Sequence, residues 1–429
     1  MSDAIPDAAP PSPRPSKVRG CFYRLLALTF GLTIACGIVE GVSRYYFARA
    51  SEGVRESIAN DPTNVFRLYR RDDRMGWVYR PGVSVMVDDP SVEPHTITIN
   101  EKGLFDLDYS YDHPANGFRV LVVGDSYIEA VQVALHQRSF QALEDRYQAE
   151  TGSDPYEIIE MGVGRYTPAQ YYDMYLDQGR RYHPDVVIVA LTMENDIEML
   201  YNDAGHNLEG VLTGHTMSYT LNDGKLVELD VHDWRPPSGR SRVPERVGII
   251  PSLSRFLSHN SVAYDLLTWN WNTSQLGVNL GVEGGHIPLA RRFEKGYDDP
   301  LYAQAWPVLD ALVLALMDAV EADGAEFGVI IVPERYAIYP DWYFQTYPEA
   351  EQYRDLFDAR KMDRKAEAFL KENSISYLNL TPYLLDAATT SNDPLYSKAH
   401  IHWTPAGHAV VTEALDNWFH RMNWAPAGK

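Results

Sequence analysis

The chain has 429 residues, 45% of them hydrophobic and 12% aromatic, enough apolar content for a full α/β domain with additions and too much for gross disorder. A formal net charge of -21 argues against a phosphate-binding surface, since nucleic-acid binders carry clustered Lys and Arg, so no nucleic-acid partner is expected. The two cysteines, Cys21 and Cys36, both sit in the N-terminal apolar region, which leaves the rest without a disulfide or a cysteine metal cluster.

Residues 1–20 are rich in Pro, Ala and Ser and read as a disordered tail, cytoplasmic if the next segment spans a membrane. Residues 21–47 read as that transmembrane anchor. The uncharged run Leu25 to Val39 is only roughly 22 Å long as a helix against a hydrocarbon core of about 30 Å. It therefore needs its flanks, with Arg24 and Glu40 snorkelling and Tyr45-Tyr46-Phe47 in an interfacial belt. The basic residues between 14 and 24 place the N-terminus in the cytoplasm and the rest of this single-pass chain on the other side. A cleaved signal peptide is the competing reading, because a basic start and a short apolar core describe one as well. Residues 48–116 read as a membrane-proximal lead-in with short strands.

From 117 to 422 the pattern is α/β. Apolar runs at 119–124, 157–161, 185–191, 326–332 and 375–380 predict buried parallel strands. Helical patterns at 134–150, 168–181, 301–323, 353–373 and 405–421 alternate with them, as in a doubly wound sheet with flavodoxin-like strand order. The stretch from about 200 to 300 interrupts the alternation. It contains a hairpin signal, Met217 to Leu229 around Asp223-Gly224, and an aromatic segment, Tyr264 to Trp271. An insertion of that length reads as a cap over the site or as a subdomain that pads the sheet.

Two segments carry the chemistry. Gly124-Asp125-Ser126 ends the apolar run Val120 to Val123, and far downstream comes His402-Trp403-Thr404-Pro405-Ala406-Gly407. A serine at the carboxyl end of a central strand is where an open sheet presents a nucleophile, and a returning histidine is a candidate base. The tripeptide alone is also an ordinary strand-to-helix turn with an N-cap. Between the two lie Met161 to Gln170, around Gly164-Arg165, and Leu191-Thr192-Met193-Glu194-Asn195-Asp196; Ile99 to Leu104 precedes the first core strand.

In these segments, over roughly residues 66 to 422, the chain resembles the SGNH (GDSL-type) hydrolase superfamily. Among its members the chain is similar to membrane-attached proteins linked to O-acetylation of exported polysaccharide such as alginate. The resemblance implies a three-layer α/β/α fold with Ser126 as nucleophile and His402 as base. Asn195 and the Gly164/Arg165 turn then form the oxyanion hole, with the Ser126 amide. The Gly-x-Ser-x-Gly elbow of α/β-hydrolases is absent. Three residues depart from the family pattern. Ala399 stands where relatives carry an Asp ahead of the histidine, although Asp393 or another acid could reach in. Arg165 would resist a positive φ. Glu194 replaces a Gly, and its charge would oppose a developing oxyanion. Arg335, at the end of the fourth strand, is a candidate for contact with a carboxylate or sugar hydroxyls, or else a member of a surface salt bridge. His400, His402 and His408 have a spacing that could suit a metal, but no companion ligands accompany them; no metal and no cofactor are expected.

The expected function is a serine-dependent O-acyl ester hydrolase or acyltransferase acting on an envelope glycan or lipid-linked ester. The alternative is a catalytically degenerate carbohydrate-binding or assembly protein of the cell envelope that keeps the fold.

Overall fold

The computed structural model describes residues 17–60, 65–72, 74–87, 92–152, 154–201, 218–229, 293, 295–296 and 300–426. The chain divides into two compact units, Met1–Glu52 with Ser241–Gly284, and Gly53–Arg240 with Gly285–Lys429.

Helix α1 is Lys17–Asn60. Its segment Phe22–Tyr46 has 25 residues and a mean hydropathy of 2.0, and at 1.5 Å per residue is long enough to cross about 30 Å of hydrocarbon. The hydroxyls of Thr29 and Thr33 donate to carbonyls one turn back, so these polar groups are satisfied within the helix. Glu40 and Arg44 pair at 2.7 Å. The helix starts inside the expected tail and runs past Phe47, because no Pro or Gly signal stops it there; residues 1–16 lie outside the described residues.

The second unit opens with two antiparallel pairs, β1 (Tyr69–Asp72) with β2 (Gly76–Tyr79), and β3 (Ser84–Val87) with β4 (His95–Thr98). Next come β5 (Phe118–Gly124), α2 (Ser126–Glu129), α3 (Ser139–Thr151), β6 (Tyr156–Gly162), α4 (Pro168–Asp177), β7 (Val186–Thr192) and α5 (Met193–Tyr201). The hairpin β8 (Ser218–Asn222) and β9 (Lys225–Leu229) turns through Asp223 and Gly224, both at positive φ, as a type I′ turn requires. The remainder of the insertion, including Tyr264 to Trp271, lies outside the described residues. The chain then continues through α6 (Pro300–Ala322), β10 (Glu326–Val332), α7 (Arg335–Ile338), α8 (Pro340–Thr346), α9 (Lys361–Glu372), β11 (Ser376–Asn379), α10 (Thr381–Thr390) and α11 (Pro405–Met422).

The central sheet runs β11-β10-β7-β5-β6 with every pair parallel, the flavodoxin-like order. Its strands read as continuous apolar runs because both faces are covered. Leu121, Val123, Val187, Val189 and Ile331 pack on one side with Leu309 and Leu312 of α6 and with Trp77 of β2. Val120, Val122, Ile188 and Ile330 pack on the other with Leu143 of α3 and Val411, Leu415 and Trp418 of α11. The result is three layers. The chain reverses direction across the sheet between β5 and β7, so the crevice above their carboxyl ends is the place for a ligand.

Candidate active site

Ser126 leaves β5 at that crevice. A Cβ on Gly124 would lie 2.5 Å from Ile128 Cγ1 and 3.2 Å from Ala190 Cβ, so only glycine lets the chain fold straight into α2. Asp125 is the N-cap: its carboxylate accepts from the Tyr127 amide at 3.0 Å. Half-buried Ser126 is therefore the first residue of a one-turn helix, which ends at Ala130 in the left-handed region with φ 45.

The histidine arrives on a pinned loop. Tyr396 and Trp403 form an isolated bridge, and the Ser397 amide donates to the His402 carbonyl at 3.0 Å. Buried Trp403 packs edge-on against Tyr127, whose hydroxyl donates to the Ile401 carbonyl at 2.8 Å. Thr404 caps α11 by accepting from the Gly407 amide, with Pro405 at the first helical position, where its fixed φ suits a helix start. These contacts put His402 Nε2 2.8 Å from Ser126 Oγ.

Burial pushes the His402 imidazole down to about 3, helped by His400 and by the Arg335 charge. It is thus neutral at pH 7, with a lone pair available to take the Ser126 proton. Among the described residues no carboxylate oxygen lies within ion-pair distance of its ring, and Asp393 is exposed in a turn with the Ser391 hydroxyl. Asp393 therefore does not supply the acid missing at Ala399.

Asn195, on α5, donates through Nδ2 to Asp125 Oδ2 at 2.7 Å, and Thr192 Oγ1 donates to Asp125 Oδ1 at 3.2 Å. Asp125 thus ties the ends of β5 and β7 together. Burial raises its carboxyl to about 6 against the lowering effect of these donors. Its role as a hub was missed in the sequence, where the only signal was an Asp at an N-cap position. The Glu194 side chain lies outside the described residues.

The Val163–Tyr166 turn follows β6. Its first amide donates to the Gly124 carbonyl at 3.2 Å, and Tyr166 N donates to Val163 O at 3.2 Å. Arg165, exposed, occupies the left-handed region with φ 66. The positive φ that argued against Arg is real, and Arg adopts it. Gly164 lies against the buried carboxyl group of Glu129, where a Cβ would fall 2.7 Å from Oε2. A Cβ at Gly162 would lie 2.1 Å from the Glu129 nitrogen, which shows how closely β6 and α2 approach.

Arg335 opens α7, after β10. Its guanidinium lies over the Tyr336 ring at 4.7 Å and donates to the Tyr336 hydroxyl at 2.8 Å; among the described residues it has no ion pair. Buried His408 accepts from the Ser139 amide through Nδ1 at 3.2 Å, so it packs α11 against α3. No cluster of three or more His, Cys, Asp or Glu side chains suited to a metal occurs among the described residues.

Residues 297–424 match the family described as the SGNH hydrolase-like domain of the acetyltransferase AlgX. That stretch holds β10, β11 and His402 but not Ser126 or Asn195. No curated protein matches the sequence. Similar solved structures include Axe2, an acetylxylan esterase from Geobacillus stearothermophilus, at 9% identity and a TM-score of 0.35 over 71% of this chain and 95% of that one. A GDSL-like lipase from Bacteroides thetaiotaomicron is similar at 12% identity and a TM-score of 0.32, over 71% of this chain and 88% of that one. Likenesses this distant carry no argument about chemistry.

Proposed function

We propose, from the premise that this chain carries an SGNH hydrolase-like domain, that it is a serine-dependent O-acyl ester hydrolase or acyltransferase. The observation that carries the reading is the 2.8 Å contact between Ser126 Oγ and neutral His402 Nε2 at the switch point of the sheet. Ser126 Oγ attacks the acyl carbonyl while its proton passes to Nε2. The carbonyl oxygen becomes an oxyanion, for which the candidate donors are the Ser126 amide, the Arg165 amide and the second Nδ2 hydrogen of Asn195. Collapse breaks the bond to the leaving alcohol, which takes the proton back from His402. The acyl-serine is then released to water by a hydrolase or to a sugar hydroxyl by a transferase, with His402 again as base. Arg335 stands ready to contact substrate polar groups.

The apolar helix and the family match support a substrate in the cell envelope, an acylated glycan or a lipid-linked ester, with the domain outside the cytoplasm. A depressed histidine without a described carboxylate favours one competing reading, a fold retained for glycan binding alone. The test is hydrolysis of a short-chain aryl acetate by the full chain in detergent micelles, beside Ser126→Ala. Turnover that falls by at least about 10³-fold in the variant establishes the nucleophile. No turnover in either, with no labelling of Ser126 by a serine-directed phosphonate, leaves the binding reading.

A further inference from the structure

The one-turn helix that begins with Ser126 ends in Glu129, an almost fully buried acid (3% exposed). Its carboxyl group accepts from the hydroxyl of Tyr69 and from the hydroxyl of Tyr79 at 2.5 Å. A Cβ on Gly164 would lie 2.7 Å from Oε2, so the carboxylate rests directly on that residue's backbone. Tyr69 and Tyr79 face each other in the β1–β2 register, with rings stacked at 5.0 Å.

The same hairpin grips the turn a second way. Trp77 Nε1 donates to the Gly164 carbonyl at 3.2 Å, and the Tyr166 hydroxyl donates to the Trp77 carbonyl at 2.6 Å. Just beyond, Gln170 Nε2 donates to the Met75 carbonyl at 2.8 Å. The C=O of Gly164 is thereby fixed and its Cα is packed against Glu129, and the following residue is held at positive φ. A non-glycine residue persists there only where surrounding contacts over-determine it.

We propose that Glu129, with the Tyr69–Tyr79 hairpin, is a positioning residue that locks the Gly164–Arg165 turn against the Ser126 helix, so that the Arg165 amide stays aimed at the oxyanion. The lead-in ahead of the sheet is then part of the active site rather than a spacer. One buried acid thus links the nucleophile's helix to the hairpin by hydrogen bonds and to the turn by direct packing. This inference rests on the esterase or transferase reading for its kinetic part, but not for its structural part.

The experiment compares the full chain in detergent micelles with Glu129→Gln and Tyr79→Phe, by amide hydrogen exchange and by aryl acetate kinetics. Glu129→Gln is expected to speed exchange of residues 163–167 by about 10- to 100-fold, leaving β10 and β11 unchanged. Its kcat should fall at least about 10-fold with KM within about twofold. Tyr79→Phe, which removes a single donor, should show the same pattern at about 3- to 10-fold and carries the test if Glu129→Gln fails to fold. Thr381→Val, a destabilising change remote from the turn, should leave kcat intact. Unchanged exchange at 163–167 overturns the proposal, as does faster exchange with wild-type kcat. A wild type without turnover sinks the catalytic reading instead, and the exchange data still decide whether the clamp exists.

Discussion

Arg165 holds a left-handed backbone at a site where glycine would be free of strain, a cost of roughly 1–2 kcal/mol, partly offset because glycine loses more entropy on folding. Arg165→Gly should therefore stabilise the chain by about 0.5–1 kcal/mol, read as a rise of a degree or two in melting temperature. If the exposed guanidinium also meets substrate, KM for the aryl acetate or a glycan ester will rise while stability improves. A melting temperature that drops would show that the side chain contributes more than the backbone strain removes. The presence of Ser126, His402 and Asn195 at one end of the sheet was legible, because each follows a recognisable strand end or helix start. The packing of Glu129 against Gly164 was not: the phenols that complete that cluster come from positions 60 and 50 residues upstream, and no local pattern signals such a contact.

The strands were the easiest elements to read, since burial on both faces turns each into an unbroken apolar run bounded by turns. Short helices were not legible. α2, α7 and α8 hold too few residues to display a 3.6-residue period, and the helix expected from 353 begins only at Lys361, after the 3₁₀ stretch Pro348–Leu356. One contact between elements makes a pH-dependent prediction. Asp363 of α9 accepts from the Thr381 hydroxyl at the start of α10 at 3.0 Å, and burial raises its carboxyl to about 7. The folded chain keeps this proton where the unfolded chain, with an ordinary aspartate, has lost it. Its contribution is therefore fully present below pH about 4 and is lost as pH rises through about 7. Asp363→Asn removes that loss. The variant should gain on the wild type by up to about 4 kcal/mol between pH 4 and pH 8, seen as a widening gap in melting temperature. Parallel pH profiles for the two proteins would show that Asp363 is ionised in the folded state.

For the whole molecule the open physical question is which side of a membrane carries the α/β unit. Arg14, Lys17, Arg19 and Arg24 lie at or before the start of the apolar segment of α1, with no acid between Asp7 and Glu40. Beyond it come Arg44, Arg49 and Arg55, but Arg44 is paired with Glu40 within the helix. The basic bias therefore predicts that the N-terminus is retained in the cytoplasm. The two native cysteines make this measurable, since Cys21 lies at the N-terminal end of the span and Cys36 within it. In intact cells a membrane-impermeant maleimide should leave Cys21 unlabelled until the membrane is opened. In a Cys21→Ser, Cys36→Ser background, Lys225→Cys, in the exposed part of the β8–β9 hairpin, should label at once. The full chain should also sediment with membranes through high salt and leave them only in detergent, because a span of apolar residues is held by burial rather than charge. Labelling of Cys21 in intact cells would reverse the orientation. A mature chain that has lost both cysteines, seen as a mass decrease, would mean that the segment is a cleaved signal and that the α/β unit is released.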